Sequence, residues 1–323
     1  MENKSAMFES VLSDVERHLV STLLLIVAVV GIIGNILVIL AFGLSRKLHN
    51  TTNCFVVNLS VADFITCLNI PINAAAMLSP HGSIPDWICI VCGFCSVTCI
   101  GCGVYNLTCI AVYRLVLVSN RQPHHTGRAF THIVVSIIIG ITWLIPLTMA
   151  SIPFVFGFGE LGYNPKYSSC TWKTSSSSTE LDSYSLLLAV TYYPIPTFIL
   201  ITSYAKLFIH LKGHRKRVIP LQRSEECSHP VQPAQRGARK SSQKGVTKNM
   251  FYVVCAFLVC MTPYSVCLVV SGSDFFIPYA VVFLLASSCV NPVIYATKHP
   301  HFSIVMRSII TCSFKKIPHF VLK

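Results

Sequence analysis

Seven stretches of this chain are empty, or nearly empty, of charged side chains, and each is long enough to cross a bilayer as a helix. No Asp, Glu, Lys or Arg lies between Arg17 and Arg46, and only Asp63 lies between Lys47 and Asp86. The runs from Asp86 to Arg114, Arg128 to Glu160, Asp182 to Lys206, Lys248 to Asp274 and Asp274 to Lys298 are free of all four. A helix of about 20 apolar residues spans the hydrocarbon core. The pattern predicts an all-α membrane protein with spans near 19–44, 52–78, 87–118, 129–152, 184–211, 247–271 and 275–297. Only 11% of the residues are charged, against about 25% in a soluble domain. That excludes an ordinary soluble enzyme, a disordered chain and a fibre.

The net charge of +13 sits in short blocks between the spans, which argues for lipid contact and against nucleic-acid binding. With the first segment outside, the outer loops hold Lys4, Arg17, Lys166 and Lys173 against nine acids, while the inner segments hold the other basic residues against Glu225 and Glu226. The positive-inside rule therefore puts the N-terminal side outside and the other end in the cytoplasm, at the plasma membrane, with anionic inner-leaflet lipids as partners. Residues 1–18 read as an extracellular segment without a cleavable signal. Residues 19–297 read as the membrane domain, with a flexible basic loop near 212–246, and residues 298–323 as a cytoplasmic tail. Asn3, in Asn3-Lys4-Ser5, is a glycosylation candidate.

Most of the 15 cysteines fall inside spans, where Cys acts as a small apolar residue. Cys89, at the outer start of span three, and Cys170, in the long outer loop, share an oxidising compartment and point to a disulfide. No metal-spaced His/Cys motif, supported Ser-His-Asp arrangement or phosphate-binding glycine loop is present. The chain reads as no enzyme, with no cofactor.

Polar residues in mid-span carry the next signal. Asp63, Asn35, Asn58 and Asn291 lie at depths where an unpartnered polar group is costly. They fall in an ordered set: Gly34-Asn35; Leu59-Ser60-Val61-Ala62-Asp63; Cys89; Ile110-Ala111-Val112-Tyr113-Arg114; Trp143; Pro196 and Tyr204; Phe257 with Cys260-Met261-Thr262-Pro263; and Asn291-Pro292-Val293-Ile294-Tyr295. The set, one motif to a span, resembles the class A, rhodopsin-like G-protein-coupled receptors from Gly34 to Phe302. The outer-loop segment Tyr163 to Trp172 is similar to that of melatonin receptors and opsin-like orphan receptors, although Tyr192 stands where melatonin receptors use a histidine.

The resemblance implies a seven-helix bundle followed by a short amphipathic helix, Phe302 to Cys312, with Cys312 as a lipidation site. It implies a polar centre of Asp63, Asn35 and Asn291. In the family this centre can hold sodium, but Gly103 stands where a serine often helps, so no metal is assigned. Arg114 would engage a heterotrimeric G protein, with Tyr204 and Tyr295 swinging toward it, and Pro196, Pro263 and Pro292 would supply kinks. Tyr113 and Leu115 depart from the acidic and aromatic neighbours usual around this arginine. No acid occurs between Glu226 and Asp274; Gln243, Lys244 and Lys248 stand at the base of span six. Arg114 thus lacks its usual carboxylates, which implies raised basal activity or a tyrosine hydrogen bond in place of the lock. Met261 replaces a tryptophan that senses ligand, above a retained Phe257.

By position, the ligand pocket comprises Asn73, Ser96, Val97, Ile100, Leu188, Tyr192, Met261, Tyr264, Ser265, Leu268, Val281 and Leu285. Ser96 stands where amine receptors carry aspartate, and Leu285 where visual opsins carry the retinal-binding lysine. What remains suits a neutral or lipophilic small molecule. The alternatives are a non-signalling receptor-like protein and a lipid scramblase or transporter.

Overall fold

The computed structural model describes residues 11–79, 84–119, 132–173, 183–224, 233–270 and 272–321, with the side chains of 211–224 and 233–250 outside that description. Its helices are α1 Asp14–Leu44, α2 Thr51–Leu78, α3 Asp86–Ser119, α4 His132–Phe156, α5 Ser183–Tyr192, α6 Pro194–Ser224, α7 Pro233–Val269, α8 Ile277–Lys298 and α9 Pro300–Ile310. A hairpin of β1 (Glu160–Asn164) and β2 (Ser169–Lys173) joins α4 to the segment before α5. Seven spans are long and apolar enough to cross a membrane. Helices satisfy their own backbone groups, which hydrocarbon demands. Exposed apolar side chains such as Leu23, Ile26, Ile33, Phe198 and Phe208 face outward, where lipid covers them.

Several ends differ from the sequence expectation. The first helix begins at Asp14, so part of the segment read as extracellular is helical. Ser13 and Glu16 close a reciprocal capping box that starts the helix early. Span five is two helices meeting at Tyr193, because Pro194 and Pro196 lack backbone N–H groups and Pro194 disfavours helix at the residue before it. Span four starts at His132; positions 129–131 lie outside the described residues. The stretch read as a flexible loop near 212–246 is helical up to Ser224 and again from Pro233, since Lys-, Arg- and Gln-rich sequence favours helix. Residues 225–232 lie outside the described residues, as does Asn3. The amphipathic helix runs Pro300–Ile310, two residues earlier than expected, because His299 caps it and Pro300 suits its first turn. Cys312 lies just beyond it and is exposed.

Close packing of α1 depends on small residues. A Cβ on Gly34 would sit 2.7 Å from Pro292 Cβ, and one on Gly31 2.3 Å from Cys67 Sγ. At Gly43 a Cβ would meet nothing within 4 Å. Asn58 binds α2 to α4: Trp143 Nε1 donates to its Oδ1 at 2.8 Å. Replacing Gly34 by Ala therefore lowers the melting temperature of the purified protein, through an overpacking cost on the order of 1–3 kcal/mol. Gly43→Ala leaves it level or raises it, since Ala is the better helix former by about 0.5–1 kcal/mol.

His299 joins α8 to α9. Its Nδ1 accepts from the Phe302 amide at 3.2 Å, and the ring is 2% exposed. Burial first, then the charges of His301 and Arg114, push its pKa down to about 4. An unfolded histidine titrates near ~6.5, so the unfolded chain binds this proton more tightly. The contribution is complete above about pH 6.5 and is lost as pH falls toward 4. At full extent it is worth about 3 kcal/mol. Unfolding measured across this range should fall more steeply in wild type than in His299→Asn, which keeps a capping acceptor but cannot take up the proton.

Candidate functional site

The polar centre is built from α1, α2 and α8. Ser288 Oγ donates to Asp63 Oδ1 at 2.8 Å and Asn291 Nδ2 to Asp63 Oδ2 at 2.9 Å. Asn35 Nδ2 donates to the carbonyls of Gly31, at 2.9 Å, and Ser288, at 3.0 Å. Asn35 thus joins the centre through the Ser288 backbone, whereas the sequence reading set it alongside the aspartate. Ser288 was missed. A serine in an apolar helix carries no signal of its own, and only the fold brings it to a carboxylate 225 residues away. Both Asp63 oxygens already accept hydrogen bonds, and Gly103 offers no side-chain oxygen.

Above this centre lies a cavity of about 1160 Å³ whose wall includes all twelve residues named from the sequence. It also includes Thr66, Asn69, Ser185, Tyr167 and Trp172, which the sequence did not assign. The last two come from the hairpin lid. That lid is held by the Cys89–Cys170 disulfide and by the Cys170 amide, which donates to Asn73 Oδ1 at 2.9 Å. Gly162, at φ 151, leaves room for the Asp86 carboxylate, which accepts from the Tyr163 amide at 3.1 Å.

The rim is charged but self-paired. Lys166 Nζ lies 2.8 Å from Asp274 Oδ1, and Lys173 Nζ lies 3.4 Å from Asp86 and 3.6 Å from Glu160. Tyr167 donates to Asp274 at 2.7 Å. Burial and this carboxylate push the Tyr167 phenol upward, so it remains a neutral donor. Inside the cavity, Leu285 and Ser96 offer neither an amine nor a carboxylate. In the helices around it, the hydroxyls of Tyr192 and Ser185 and the amide nitrogen of Asn69 are packed away from its surface without a hydrogen-bond partner.

At the other end, Arg114 is 5% exposed. None of the four ion pairs among the described residues includes it. Its Nε and the hydroxyls of Tyr204 and Tyr295 are buried without hydrogen-bond partners. Tyr113 packs on Phe55 with ring centroids 6.2 Å apart, Tyr204 on Phe251 at 6.1 Å, and Tyr295 on Phe302 at 5.9 Å. Gln243, Lys244 and Lys248 have side chains outside the described set. Phe257 and Met261 share the main core cluster with Leu284 and Tyr295, and Pro263 lies inside α7.

Residues 34–295 match the family of 7 transmembrane receptors (rhodopsin family). The chain belongs to this family, the class A G-protein-coupled receptors. Among its relatives, melanopsin of Rutilus rutilus is 28% identical over 306 residues, covering 90% of this chain and 57% of the relative. Human (Homo sapiens) melanopsin is 27% identical over 310 residues, covering 93% and 63%. A GQ-coupled rhodopsin of Mizuhopecten yessoensis is 26% identical over 298 residues, covering 88% and 58%. The receptor therefore spans 57% to 63% of the length of these relatives. In fold it is similar to the crystal structure of squid rhodopsin, with TM-score 0.78 at 20% identity, covering 98% of this chain and 91% of that one.

The Asp63–Asn291 contact is testable by a double-mutant cycle on thermal stability. Asp63→Ala and Asn291→Ala should couple by about 1 kcal/mol, a typical value for contacting polar pairs in membranes. Asp63→Ala and Asn35→Ala, linked only through Ser288, should couple more weakly than this pair.

Proposed function

We propose that this receptor sits in the plasma membrane with its N-terminal side outside, binds a neutral or lipophilic small ligand in the cavity under the hairpin, and activates a heterotrimeric G protein at the Arg114 end. One observation carries the reading. The cavity and the polar centre share helices: Thr66 on the cavity wall lies one turn beyond Asp63, and Leu284 and Leu285 lie one turn before Ser288. A ligand that shifts α2 against α8 necessarily disturbs hydrogen bonds at Asp63. Differential affinity for two arrangements of that bundle is what a transducing ligand needs.

Ligand binding is noncovalent in this reading. Leu285 occupies the place of the visual-opsin lysine, and span seven has no lysine before Lys298, so a retinal Schiff base of the opsin kind has no amine. The self-paired rim and the apolar lining favour an uncharged molecule. Cys312, exposed just past α9, is the lipidation site in this reading, and Asn3 the glycosylation site.

The lack of a carboxylate partner for Arg114 supports raised basal activity. An acid beside this arginine stabilises one arrangement of the switch; removing a few kcal/mol of such bias multiplies the minor population many-fold. The test is ligand-free G-protein activation in cells, with Gq as the first arm because one relative is named a GQ-coupled rhodopsin. Wild type should signal above empty cells at matched surface expression. Both Arg114→Ala and Tyr113→Asp should reduce that signal, by about tenfold for each 1.4 kcal/mol of lost bias. A silent wild type that Tyr113→Asp leaves unchanged sinks the basal-activity reading. A receptor silent in every Gα arm, with and without lipophilic ligands, points to the non-signalling alternative.

A further inference from the structure

Beyond α9 the chain turns back and docks on the far end of α1. A short turn at Phe314–Lys316 precedes this return. Ser45 Oγ donates to the Pro318 carbonyl at 2.7 Å, the Arg46 amide to the His319 carbonyl at 3.2 Å, and the Val321 amide to the Leu44 carbonyl at 3.0 Å. Ser45 and Phe320 form an antiparallel bridge. Ile317 is buried in the same core cluster as Leu48, Phe302, Val305 and Met306. The turn Arg46–Leu48, helix α9 and segment 314–321 are thus one packed unit, assembled from pieces about 270 residues apart in sequence.

The charges on this unit have one sign. Arg46, Lys47, Arg307, Lys315 and Lys316 are exposed, and none takes part in the ion pairs among the described residues. The sequence has no Asp or Glu between Arg17 and Asp63, or after Asp274. Lys47 lies close enough to His301 on α9 to help burial disfavour its protonation, and the backbone contacts of Pro318, His319 and Val321 with Leu44, Ser45 and Arg46 bring the tail that carries Lys315 and Lys316 to the turn that carries Arg46 and Lys47. Ile304, Ile310 and Phe314 are exposed beside them, an apolar flank suited to the headgroup–acyl boundary. Fixing like charges together costs free energy unless an anion offsets the repulsion.

We propose that this unit is a docking site for the polyanionic headgroup of a phosphorylated inositol lipid in the cytoplasmic leaflet. Cations from the turn and from the refolded tail converge on one multivalent headgroup, while the apolar flank enters the bilayer beside its acyl chains. The proposal rests on reading this end as cytoplasmic and is independent of which ligand or G protein the receptor uses.

The test uses the full chain in phosphatidylcholine nanodiscs, titrated with phosphatidylinositol 4,5-bisphosphate or with phosphatidylserine at equal total charge. Wild type should hold the inositol lipid at least about tenfold more tightly than matched phosphatidylserine. Arg46→Gln with Lys47→Gln, and Lys315→Gln with Lys316→Gln, should each weaken binding roughly 30-fold, the worth of two juxtamembrane charges. Ile317→Ser removes no charge but frees the tail, and should abolish the preference. Ser45→Ala, which removes one hydrogen bond and leaves the core intact, should weaken the preference about threefold. Equal binding of the two lipids overturns the proposal in favour of a generic basic surface. So does an Ile317→Ser protein, still folded, that binds as wild type. Signalling enters none of these readouts, so failure here leaves the receptor reading standing.

Discussion

Hydrocarbon offers a polar group no partner, and the architecture of this protein follows from that single constraint. Backbone amides satisfy one another only in helices, so the charge-free runs become helices and the polar residues that remain in them must meet. Asp63 is the costliest of these, and its two oxygens are answered by Ser288 and Asn291. Asn58 is answered by Trp143. Each such contact fixes the rotation of one helix against another, because a turned helix would strand a buried donor at a cost of about 1–3 kcal/mol. Close approach at Gly31 and Gly34 sets the third direction, the depth to which α1 sinks against α2 and α8.

The two ends of the bundle meet the constraint differently. At the hairpin end, water and charge return, and the lid is pinned by a disulfide, one asparagine and a ring of ion pairs. Exposed pairs of this kind are each worth about 0–1 kcal/mol. The disulfide and the half-buried Asn73 contact therefore hold the lid, while the rim charges set what the mouth presents to an approaching molecule. The cavity beneath is lined mainly by apolar side chains, with Asn73, Ser96 and Ser265 among its polar residues, the lining on which the proposed uncharged ligand rests.

Much of this was legible in the residues. The seven runs gave the spans, and their motifs gave the family. Twelve positions chosen by depth and resemblance line one cavity, because helical periodicity fixes which residues face inward once the spans are known. What escaped is long-range or local to backbone chemistry. Ser288 becomes a partner of Asp63 only through packing. The break at Tyr193 depends on two prolines whose combined effect a hydropathy run conceals, and the early start of α1 on a capping box that polarity alone reads as loop. The return of residues 317–321 to Ser45 pairs two short segments, neither of which announces a strand: Pro318 interrupts the one, and the other is the end of a helix.

Arg114 shows why an unusual motif need not mean a broken switch. A buried guanidinium without a carboxylate costs free energy wherever it sits, yet it remains 5% exposed, enclosed by tyrosines rather than acids. An aspartate neighbour would hold one arrangement by charge, strongly and in one direction. The hydroxyls of Tyr204 and Tyr295 make no hydrogen bond here, so in the proposed reading no charge holds one arrangement and the energy gap between arrangements is narrow. The buried, unanswered hydroxyls of Tyr204 and Tyr295 lie within the same core, on α6 and α8, and Pro292 sits inside α8 one turn before Tyr295. A narrow gap is sensitive to small differential contacts. In the proposed reading, an uncharged ligand making one or two hydrogen bonds is then enough to move the bundle, and strong ionic anchors such as those of amine receptors are dispensable in the cavity above.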